Sequence, residues 1–191
     1  MPVKKIVILF SGSGTNLENL IKKLHQKEFN GFKIEVSATI SNNPDAKGIE
    51  RSRKYGLEPI VVNHKNFPTR EEFDKELVRI IKQNGAELAV LAGFMRFLTP
   101  VFTQNIKAIN LHPSLLPLFK GGHAIEESFE SNMKVGGITI HYVNEELDGG
   151  VIIAQKCFQK DNSMDINSYE KKIHSLEYDL YPEVVVAVLS Q

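Results

Sequence analysis

Short apolar runs alternate with amphipathic segments along the first half of the chain. The runs at residues 3–10, 33–40, 59–62, 87–92 and 108–111 are rich in aliphatic side chains and predict strands. The intervening segments predict helices over about residues 16–27, after Pro44, and around Phe73, Leu77, Ile80 and Ile81, which fall on one face of a helix. Strands that alternate with helices are typical of βαβ units, so we expect a parallel sheet covered on both faces.

The pattern changes after Asn110, where a loop containing Pro117 leads to a predicted helix at residues 124–129. Strands predicted at 135–143 and 151–158 are joined by a turn-rich segment, which is typical of an antiparallel hairpin or of a longer excursion between the strands. The last helix has an apolar stripe at Ile166, Tyr169, Ile173, Leu176 and Leu180, and Pro182 is expected to kink or interrupt it. The sequence therefore predicts an α/β fold, a three-layer, Rossmann-like, mostly parallel sheet with helices on both faces and an antiparallel C-terminal portion. One domain is expected over residues 1–191.

Composition and charge narrow the classes of protein. Apolar residues make up 42% of the chain and charged residues 24%, as in ordinary folded proteins. Lysine and arginine number 23, as do aspartate and glutamate, so the chain lacks the basic excess of proteins that bind nucleic acid through phosphates. The apolar runs are too short for a membrane span or a signal peptide, and the single cysteine, Cys157, cannot form an internal disulfide. We expect a soluble, cytoplasmic protein that binds neither nucleic acid nor membrane.

The first candidate for chemistry is the loop at residues 11–16, SGSGTN, between the first predicted strand and helix. Gly12 and Gly14 let the backbone wrap around an anion at a helix N-terminus, where unpaired N–H groups and the helix dipole favour phosphate. Leu17 stands where a dinucleotide motif has its third glycine, no acidic residue closes the second strand, and the loop lacks the lysine of a nucleotide P-loop. The loop therefore suits a phosphate monoester, although by itself it is also consistent with a tight turn that caps a helix.

A second candidate lies at the end of the fifth predicted strand, where Asn110 and His112 are two residues apart and project from the same side. An amide donor beside an imidazole can stabilise an oxyanion and move a proton. Asp148, in the segment NEELDGG at residues 144–150, could hold and orient that imidazole. Taken separately, Asn110 could cap a turn, His112 could pack under the proline-containing loop, and Asp148 could belong to a simple turn.

The remaining histidines and the cysteine give weaker signals. His25 and His64 are interpreted as surface or loop residues, whereas His141 faces either solvent or the site. Cys157 is interpreted as a small core residue rather than a nucleophile. The sequence contains neither an H-E-x-x-H metal-binding spacing nor a G-x-S-x-G nucleophile elbow.

Four motifs in order cover essentially the whole chain: SGSGTN at 11–16, LAGFMR at 91–96, INLHPSLLP at 109–117 and NEELDGG at 144–150. Their order and spacing resemble those of the folate-dependent formyltransferases. The resemblance implies transfer of a formyl group from 10-formyltetrahydrofolate, as co-substrate, to the amine of 5-phosphoribosylglycinamide in de novo purine biosynthesis. It also implies direct attack through a tetrahedral intermediate, with no metal.

The alternatives are another folate-dependent N-formyltransferase, acting on methionyl-tRNA or on a sugar nucleotide, a formyltetrahydrofolate hydrolase, and a non-catalytic nucleotide-binding module. The net charge of zero argues against tRNA. The extra domains that the tRNA enzyme and the hydrolase carry are not expected here. A binding module would have no need of the catalytic set.

The resemblance implies roles for individual residues. It assigns catalysis to Asn110, His112 and Asp148. It assigns the ribonucleotide to Gly14, Thr15, Asn16 and Glu177, and the folate to Arg70, Met95, Arg96, Phe97, Leu98, Asn110, Asn144, Glu145, Glu146, Leu147 and Asp148. Glu177 also stands at the edge of the apolar stripe of the last helix, where a buried carboxylate needs a partner, the alternative being an exposed rim residue.

One loop departs from the family pattern. Lys120 precedes Gly121 where the family usually has a proline, and Ala124 and Ile125 replace a more polar continuation. The departure concerns substrate contacts of that loop rather than the catalytic set. We expect small-molecule substrates as partners, no metal, and a monomer or weak homodimer.

Overall fold

The computed structural model describes residues 1–161 and 163–191. Within these residues the chain forms eight strands: β1 (Val3–Phe10), β2 (Lys27–Phe29), β3 (Phe32–Ser41), β4 (Ile60–Val61), β5 (Leu88–Leu91), β6 (Ala108–His112), β7 (Val135–Tyr142) and β8 (Ile152–Gln159). The same residues form six α-helices: α1 (Thr15–Leu24), α2 (Gly48–Arg53), α3 (Arg70–Gln83), α4 (Pro100–Thr103), α5 (Ala124–Glu130) and α6 (Ile166–Leu189). A short 3-10 helix covers His64–Asn66.

In the described part of the chain, the strands join one eight-stranded sheet in the order β2–β3–β1–β5–β6–β7–β8, with β4 paired to β3. β1 lies parallel to β3 and β5, and the parallel pairing continues from β5 to β6 and from β3 to β4. β2, β7 and β8 pair antiparallel with their neighbours. The predicted α/β fold, a mostly parallel sheet with an antiparallel C-terminal portion, is confirmed.

β1 shows why the sheet is covered on both faces. All residues from Ile6 to Phe10 are buried. Ile6, Ile8 and Phe10 belong to one apolar cluster with residues of α1 and α6, whereas Val7 and Leu9 belong to a second cluster with residues of α3. Because successive side chains of a strand point to opposite faces, a strand between two helical layers is apolar throughout.

The carboxyl ends of β1, β5 and β6 meet at one edge of the sheet. The chain leaves β1 for β3 on one side and later enters β5 on the other, so β1 and β5 flank a topological switch point, where open α/β sheets bind ligands. Ser11 follows β1, and its backbone N–H donates to the Gly93 carbonyl at 3.0 Å, while the N–H of Met95 donates to Ser11 Oγ at 2.8 Å. The loops after β1 and β5 are therefore in direct contact.

The first helix is shorter than the sequence predicts. α1 ends before residue 25, and the last predicted helical residue instead begins β2, which pairs antiparallel with the start of β3. Gln26 has left-handed backbone with φ 60°, and Asn30 and Gly31, with φ of 47° and 84°, form the turn into β3. The predicted boundary is wrong because the left-handed backbone of Gln26 does not continue the helix.

α6 continues through Pro182, where the sequence predicts a kink or interruption. Proline cannot donate to the carbonyl four residues earlier, which belongs to Tyr178. That carbonyl oxygen accepts hydrogen bonds from Asn19 Nδ2 at 2.9 Å and Lys23 Nζ at 2.7 Å, both on α1. Of the two outcomes predicted for Pro182, a kink or an interruption, the interruption does not occur, because side chains of the neighbouring helix take the place of the missing donor. None of the described helices, α6 included, is both long enough and apolar enough to cross a membrane.

β8 is the outer strand at one end of the sheet. Gln155, Lys156 and Cys157 on this strand are all exposed. The interpretation of Cys157 as a core residue is therefore wrong. An edge strand is covered less completely than a central one, so an apolar residue type does not by itself indicate burial there.

Candidate active site

β6 presents Asn110 and His112 from the same side of the strand, at its carboxyl end. His112 is buried, with 4% of its surface exposed, and its ring lies between two acceptors. Nε2 lies 2.7 Å from the carbonyl oxygen of Phe119, and Nδ1 lies 3.4 Å from Oδ2 of Asp148. A ring that carries protons on both nitrogens would donate towards both of these oxygens.

The conformation of the loop after β7 places Asp148 beside that ring. Asp148 has left-handed backbone with φ 48°, and its Oδ2 accepts a hydrogen bond from the Gly121 N–H at 2.9 Å. A Cβ atom at Gly150 would lie 1.6 Å from the carbonyl oxygen of Tyr142, so only glycine fits there. Gly150 therefore allows the chain to pass close to the end of β7, two residues after Asp148.

Asp148 is ionised more readily than an ordinary aspartate. Burial raises the pKa of its carboxyl, but the interactions with His141 and the Gly121 N–H and the charges of His112 and His141 outweigh burial and lower that pKa. The site therefore holds a negative charge next to the His112 ring.

His141, which the sequence left facing either solvent or the site, belongs to the site. It is buried on β7, directly opposite Asn110 in the antiparallel pairing of β6 and β7. Its Nδ1 lies 2.9 Å from the carbonyl oxygen of Tyr142, which can only accept, so this nitrogen carries a hydrogen. In the neutral ring Nε2 then accepts from Asn110 Nδ2, 3.2 Å away, and the second N–H of the amide remains to donate elsewhere. In the charged ring Nε2 instead carries a hydrogen and faces Oδ1 of Asp148, 3.7 Å away. Knowledge of the register between β6 and β7 would have assigned His141 to the site, because this register pairs His141 with Asn110.

A cavity of about 330 Å³ opens beside these residues. Its lining contains Asn110 and His112 together with two segments to which the family resemblance assigns folate binding. These segments are Met95, Arg96, Phe97 and Leu98 after β5, and Asn144, Glu145, Glu146, Leu147 and Asp148 after β7. Met95, Phe97 and Leu147 are exposed at its rim. Exposed apolar side chains around a cavity are typical of a ligand site.

Arg70 is placed differently from the other predicted folate residues. It is the first residue of α3 and is exposed, and its guanidinium carbon lies 5.4 Å from the ring centre of Phe97. The structure therefore places Arg70 against the rim of the cavity rather than in its lining.

The loop that departs from the family pattern borders the cavity through Gly121 and Gly122. Lys120 Nζ lies 2.8 Å from Oε1 of Glu146. Together with the hydrogen bond from Gly121 to Asp148, this ion pair ties the loop after β6 to the loop after β7 at two points.

The loop at residues 11–16 leads directly into α1. Gly14 caps the helix with φ 73°, and a Cβ atom there would lie 2.5 Å from Cα of Gly48. A glycine cap has no side chain to offer the first N–H groups of the helix, which suits the binding of a phosphate. Arg51 of α2 also reaches this loop: its Nε donates to the carbonyl of Ser13 at 2.9 Å, and its guanidinium is paired with Glu18. Sequence reasoning missed Arg51 because only the fold brings α2 to the loop.

Glu177 is buried on α6, with 4% of its surface exposed, so the alternative of an exposed rim residue is wrong. Its Oε2 accepts hydrogen bonds from Asn16 Nδ2 at 2.9 Å and His174 Nδ1 at 2.8 Å. The hydrogen bond to Glu177 raises the pKa of His174, and the charges of Glu177 and Glu170 add to this effect against burial. Two predicted ribonucleotide residues, from α1 and α6, thus meet in one hydrogen-bonded group.

A comparison with protein families identifies the chain. The family described as formyl transferase matches residues 4–185. The chain belongs to the formyl transferase family. The predicted resemblance to formyltransferases is therefore confirmed.

Individual relatives of this formyl transferase agree with the family match. The phosphoribosylglycinamide formyltransferase of Bacillus subtilis (strain 168) is 33% identical over 189 residues, which are 98% of this chain and 95% of that protein. The crystal structure of phosphoribosylglycinamide formyltransferase from Campylobacter jejuni subsp. jejuni matches with a TM-score of 0.96 and 55% identity, over 98% of each chain. The trifunctional purine biosynthetic protein adenosine-3 of Drosophila pseudoobscura pseudoobscura is 37% identical over 191 residues, and this chain spans only 14% of its length.

In this formyl transferase the predicted site residues form two neighbouring groups. Asn110, His112 and Asp148 meet beside the cavity, and Asn16 and Glu177 meet at the start of α1. The contacts of the loop after β1 with the loop after β5 join the two groups. No group of three or more His, Cys, Asp or Glu side chains in the described residues is arranged to hold a metal ion.

Proposed function

We propose that this chain is a phosphoribosylglycinamide formyltransferase, which transfers the formyl group of 10-formyltetrahydrofolate to the amine of 5-phosphoribosylglycinamide in de novo purine biosynthesis. One observation carries the proposal: Asn110, His112 and Asp148 line an apolar-rimmed cavity together, and the segment after β5 that also lines it contacts the loop suited to phosphate. The Bacillus and Campylobacter proteins, which match nearly the whole chain, bear the name of this activity.

The lining of the cavity supports folate as the formyl donor. Met95, Phe97 and Leu98 offer apolar surface to a flat ring system. Arg96 lines the same cavity, and its buried Nε has no hydrogen-bond partner among the described residues. Because folates carry carboxylates, which guanidinium groups bind well, Arg96 suits the acidic end of such a ligand. When bound, the folate supplies the formyl group that the substrate amine attacks.

The catalytic residues then act on charge that develops at the formyl oxygen. The second N–H of Asn110 would donate to that oxygen, and the positive charge of a protonated His112 would stabilise it. Charged and hydrogen-bonding groups preorganised in this way usually contribute the largest part of the rate enhancement. Asp148, as an ionised carboxylate, would orient His112, stabilise positive charge that develops on its ring, and help to organise proton transfer from the amine. His141 would orient Asn110 through the hydrogen bond to its amide.

The ribonucleotide would lie across the start of α1. Gly14, Thr15 and Asn16 would bind its phosphate through backbone N–H groups, and Glu177 would contact the glycinamide part. Arg51, at the edge of the same loop, would add positive charge near the phosphate. Both substrates would then lie side by side, which supplies the proximity that a transfer between two bound molecules needs.

We also propose which partners the protein has, where it works and in which oligomeric state. The substrates are small molecules, and the balanced charge of the chain gives no basis for binding nucleic acid. We propose a single domain that works in the cytoplasm as a monomer or weak homodimer, with no bound metal.

The experiment that tests this function is an absorbance assay of tetrahydrofolate release from 10-formyltetrahydrofolate. We expect release to require 5-phosphoribosylglycinamide. Release without any acceptor would favour the hydrolase, and release only with an amino-sugar nucleotide would favour a sugar-nucleotide N-formyltransferase. Binding of the ribonucleotide without any release would favour a non-catalytic module.

A further inference from the structure

One buried charge has no part in the proposed reaction. Asp74 of α3 is completely buried, and it is separate from the cavity lining. Its Oδ2 accepts hydrogen bonds from both the backbone N–H and the hydroxyl of Thr99, at 2.6 and 2.7 Å. Its Oδ1 is buried and has no hydrogen-bond partner in the described part of the chain. A buried carboxylate is costly, so its place in the fold needs a reason.

Thr99 stands at the end of the segment that lines the folate cavity. Phe94 and the four residues that follow it contribute to the lining, and Thr99 then caps α4. The two hydrogen bonds to Asp74 therefore fasten the far end of the lining segment to α3. The near end is fastened by the contacts between Ser11 and Met95.

The same segment and α3 also exchange two arginine–phenylalanine contacts. Arg70 of α3 lies over the ring of Phe97, and Arg96 of the segment lies over the ring of Phe73, with distances of 5.4 and 5.8 Å to the ring centres. Phe73 directly precedes Asp74 in α3. The first turns of α3 and the lining segment are thus interlocked by paired contacts in both directions.

Asp74 also lies within electrostatic reach of Arg96. Burial, followed by the charge of Glu71, raises the pKa of Asp74 above its ordinary value, and the hydrogen bonds from Thr99 and the charge of Arg96 offset this rise only in part. Because Arg96 lines the cavity and has a buried Nε without a partner among the described residues, the Asp74 carboxylate is a nearby negative charge that can hold this side chain in place.

We propose that Asp74 is a positioning residue of the folate pocket: it anchors Thr99 and holds Arg96 in the lining, and so sets folate affinity without contacting the folate. The inference rests on the proposed function, because it takes folate as the ligand of the cavity. A purely structural role, in which Asp74 only secures the start of α4, differs in its consequences. If the role were purely structural, replacing Asp74 would lower the stability of the protein and leave the affinity of the folded protein for both substrates unchanged.

The test compares Asp74→Asn and Thr99→Val, two changes outside the cavity lining. Binding of tetrahydrofolate and of 5-phosphoribosylglycinamide is measured separately by titration calorimetry. Loss of the charge in Asp74→Asn should weaken tetrahydrofolate binding at least about 10-fold, as expected for a charge-assisted interaction. Thr99→Val removes only the hydroxyl donor and should weaken it about 3-fold. Ribonucleotide affinity should stay unchanged in both variants.

Ser128→Ala serves as the control for a loss of stability. Ser128 is buried and shares a hydrogen bond of 2.8 Å with the hydroxyl of Tyr169, between α5 and α6. Its replacement should lower the unfolding temperature without changing tetrahydrofolate affinity. If Asp74→Asn does not fold, Thr99→Val still provides the selective comparison.

Equal tetrahydrofolate affinity in the wild type and in the folded variants would overturn the positioning role, and so would an equal loss of affinity for both ligands. Wild-type protein that binds no tetrahydrofolate would instead overturn the proposed function. The failure of the inference and the failure of the function on which it rests are therefore distinguishable.

Discussion

Asp148 Oδ2 lies 3.4 Å from Nδ1 of His112, and both side chains are almost completely buried. The same carboxylate oxygen accepts the N–H of Gly121, while the other ring nitrogen of His112 faces the carbonyl of Phe119. The loop after β6 thus contacts both the imidazole and the carboxylate. The imidazole is oriented by contacts within the protein, which is the arrangement expected of a preorganised catalytic group.

Asp148→Asn keeps the shape of this side chain and removes its charge. We expect kcat to fall at least about 100-fold, since general acid–base assistance contributes a factor of this size or more. The KM values should change little, because the lost interaction matters mainly in the transition state. Steady-state kinetics with both substrates measure the effect. Asp179→Asn, which removes an exposed carboxylate paired with Lys23, should leave kcat unchanged, and a fully active Asp148→Asn enzyme would contradict the proposed mechanism.

Gly14→Ala should weaken ribonucleotide binding and lower the unfolding temperature together. Gly14 has φ 73°, and a Cβ atom would lie 2.5 Å from Cα of Gly48, so the loop must move. In Gly12→Ala the added Cβ has no described heavy atom within 4 Å beyond its chain neighbours, and stability should change by no more than about 0.5 kcal/mol. Thermal unfolding and the two KM values are the measurements. An unaltered ribonucleotide KM in a folded Gly14→Ala protein would place the phosphate elsewhere.

The hydrogen bond from His174 to Glu177 predicts a pH dependence of stability. The pKa of His174 is raised by this hydrogen bond and by the charges of Glu177 and Glu170, against burial, so the folded state binds the proton more tightly than the unfolded state. The stabilisation is fully present below the unfolded pKa of about 6.5 and is lost as the pH rises through the higher folded pKa. Urea unfolding at a series of pH values should show wild type more stable than His174→Gln at low pH, with the difference shrinking above about pH 6.5. A difference independent of pH would contradict a charged His174.

Hydrogen exchange can test whether the folate and the ribonucleotide bind to the two separate groups of site residues. Tetrahydrofolate should protect residues 95–98 and 144–148 together, because both segments line the cavity. 5-Phosphoribosylglycinamide should protect the first turn of α1, because its N–H groups are those proposed to bind the phosphate. Tetrahydrofolate protection confined to residues 11–16 would contradict the assignment of the folate pocket.

Much of the fold follows from periodicity in the sequence. The apolar run of β1 predicts a buried strand, and the helical spacing of Phe73, Leu77 and Ile81 predicts a helix that packs on the sheet. Both sets of side chains lie in the apolar core. The uninterrupted course of α6 could not be predicted, because the groups that satisfy the carbonyl of Tyr178 lie on α1, far away in the chain. The local sequence shows that Pro182 lacks a backbone donor, but it does not show that Asn19 and Lys23 supply donors in its place.

Some residues of the site could likewise be predicted from the sequence, and others could not. The spacing of Asn110 and His112 predicts that they share one side of a strand, and the fold places them so. His141 could not be assigned, because the register between β6 and β7 decides that it faces Asn110. Asp74 gives no sequence signal either, since its partner Thr99 is brought to it only by the packing of α3 on the lining segment.

The central claim is that the formyl group moves directly from the folate to the ribonucleotide. The most direct test supplies 10-formyltetrahydrofolate with an isotopically labelled formyl group, together with 5-phosphoribosylglycinamide, and examines the ribonucleotide by mass spectrometry. The account predicts that the label appears on the glycinamide amine, with one labelled product formed for each tetrahydrofolate released. Tetrahydrofolate release with the label recovered as free formate, and none on the ribonucleotide, would contradict it.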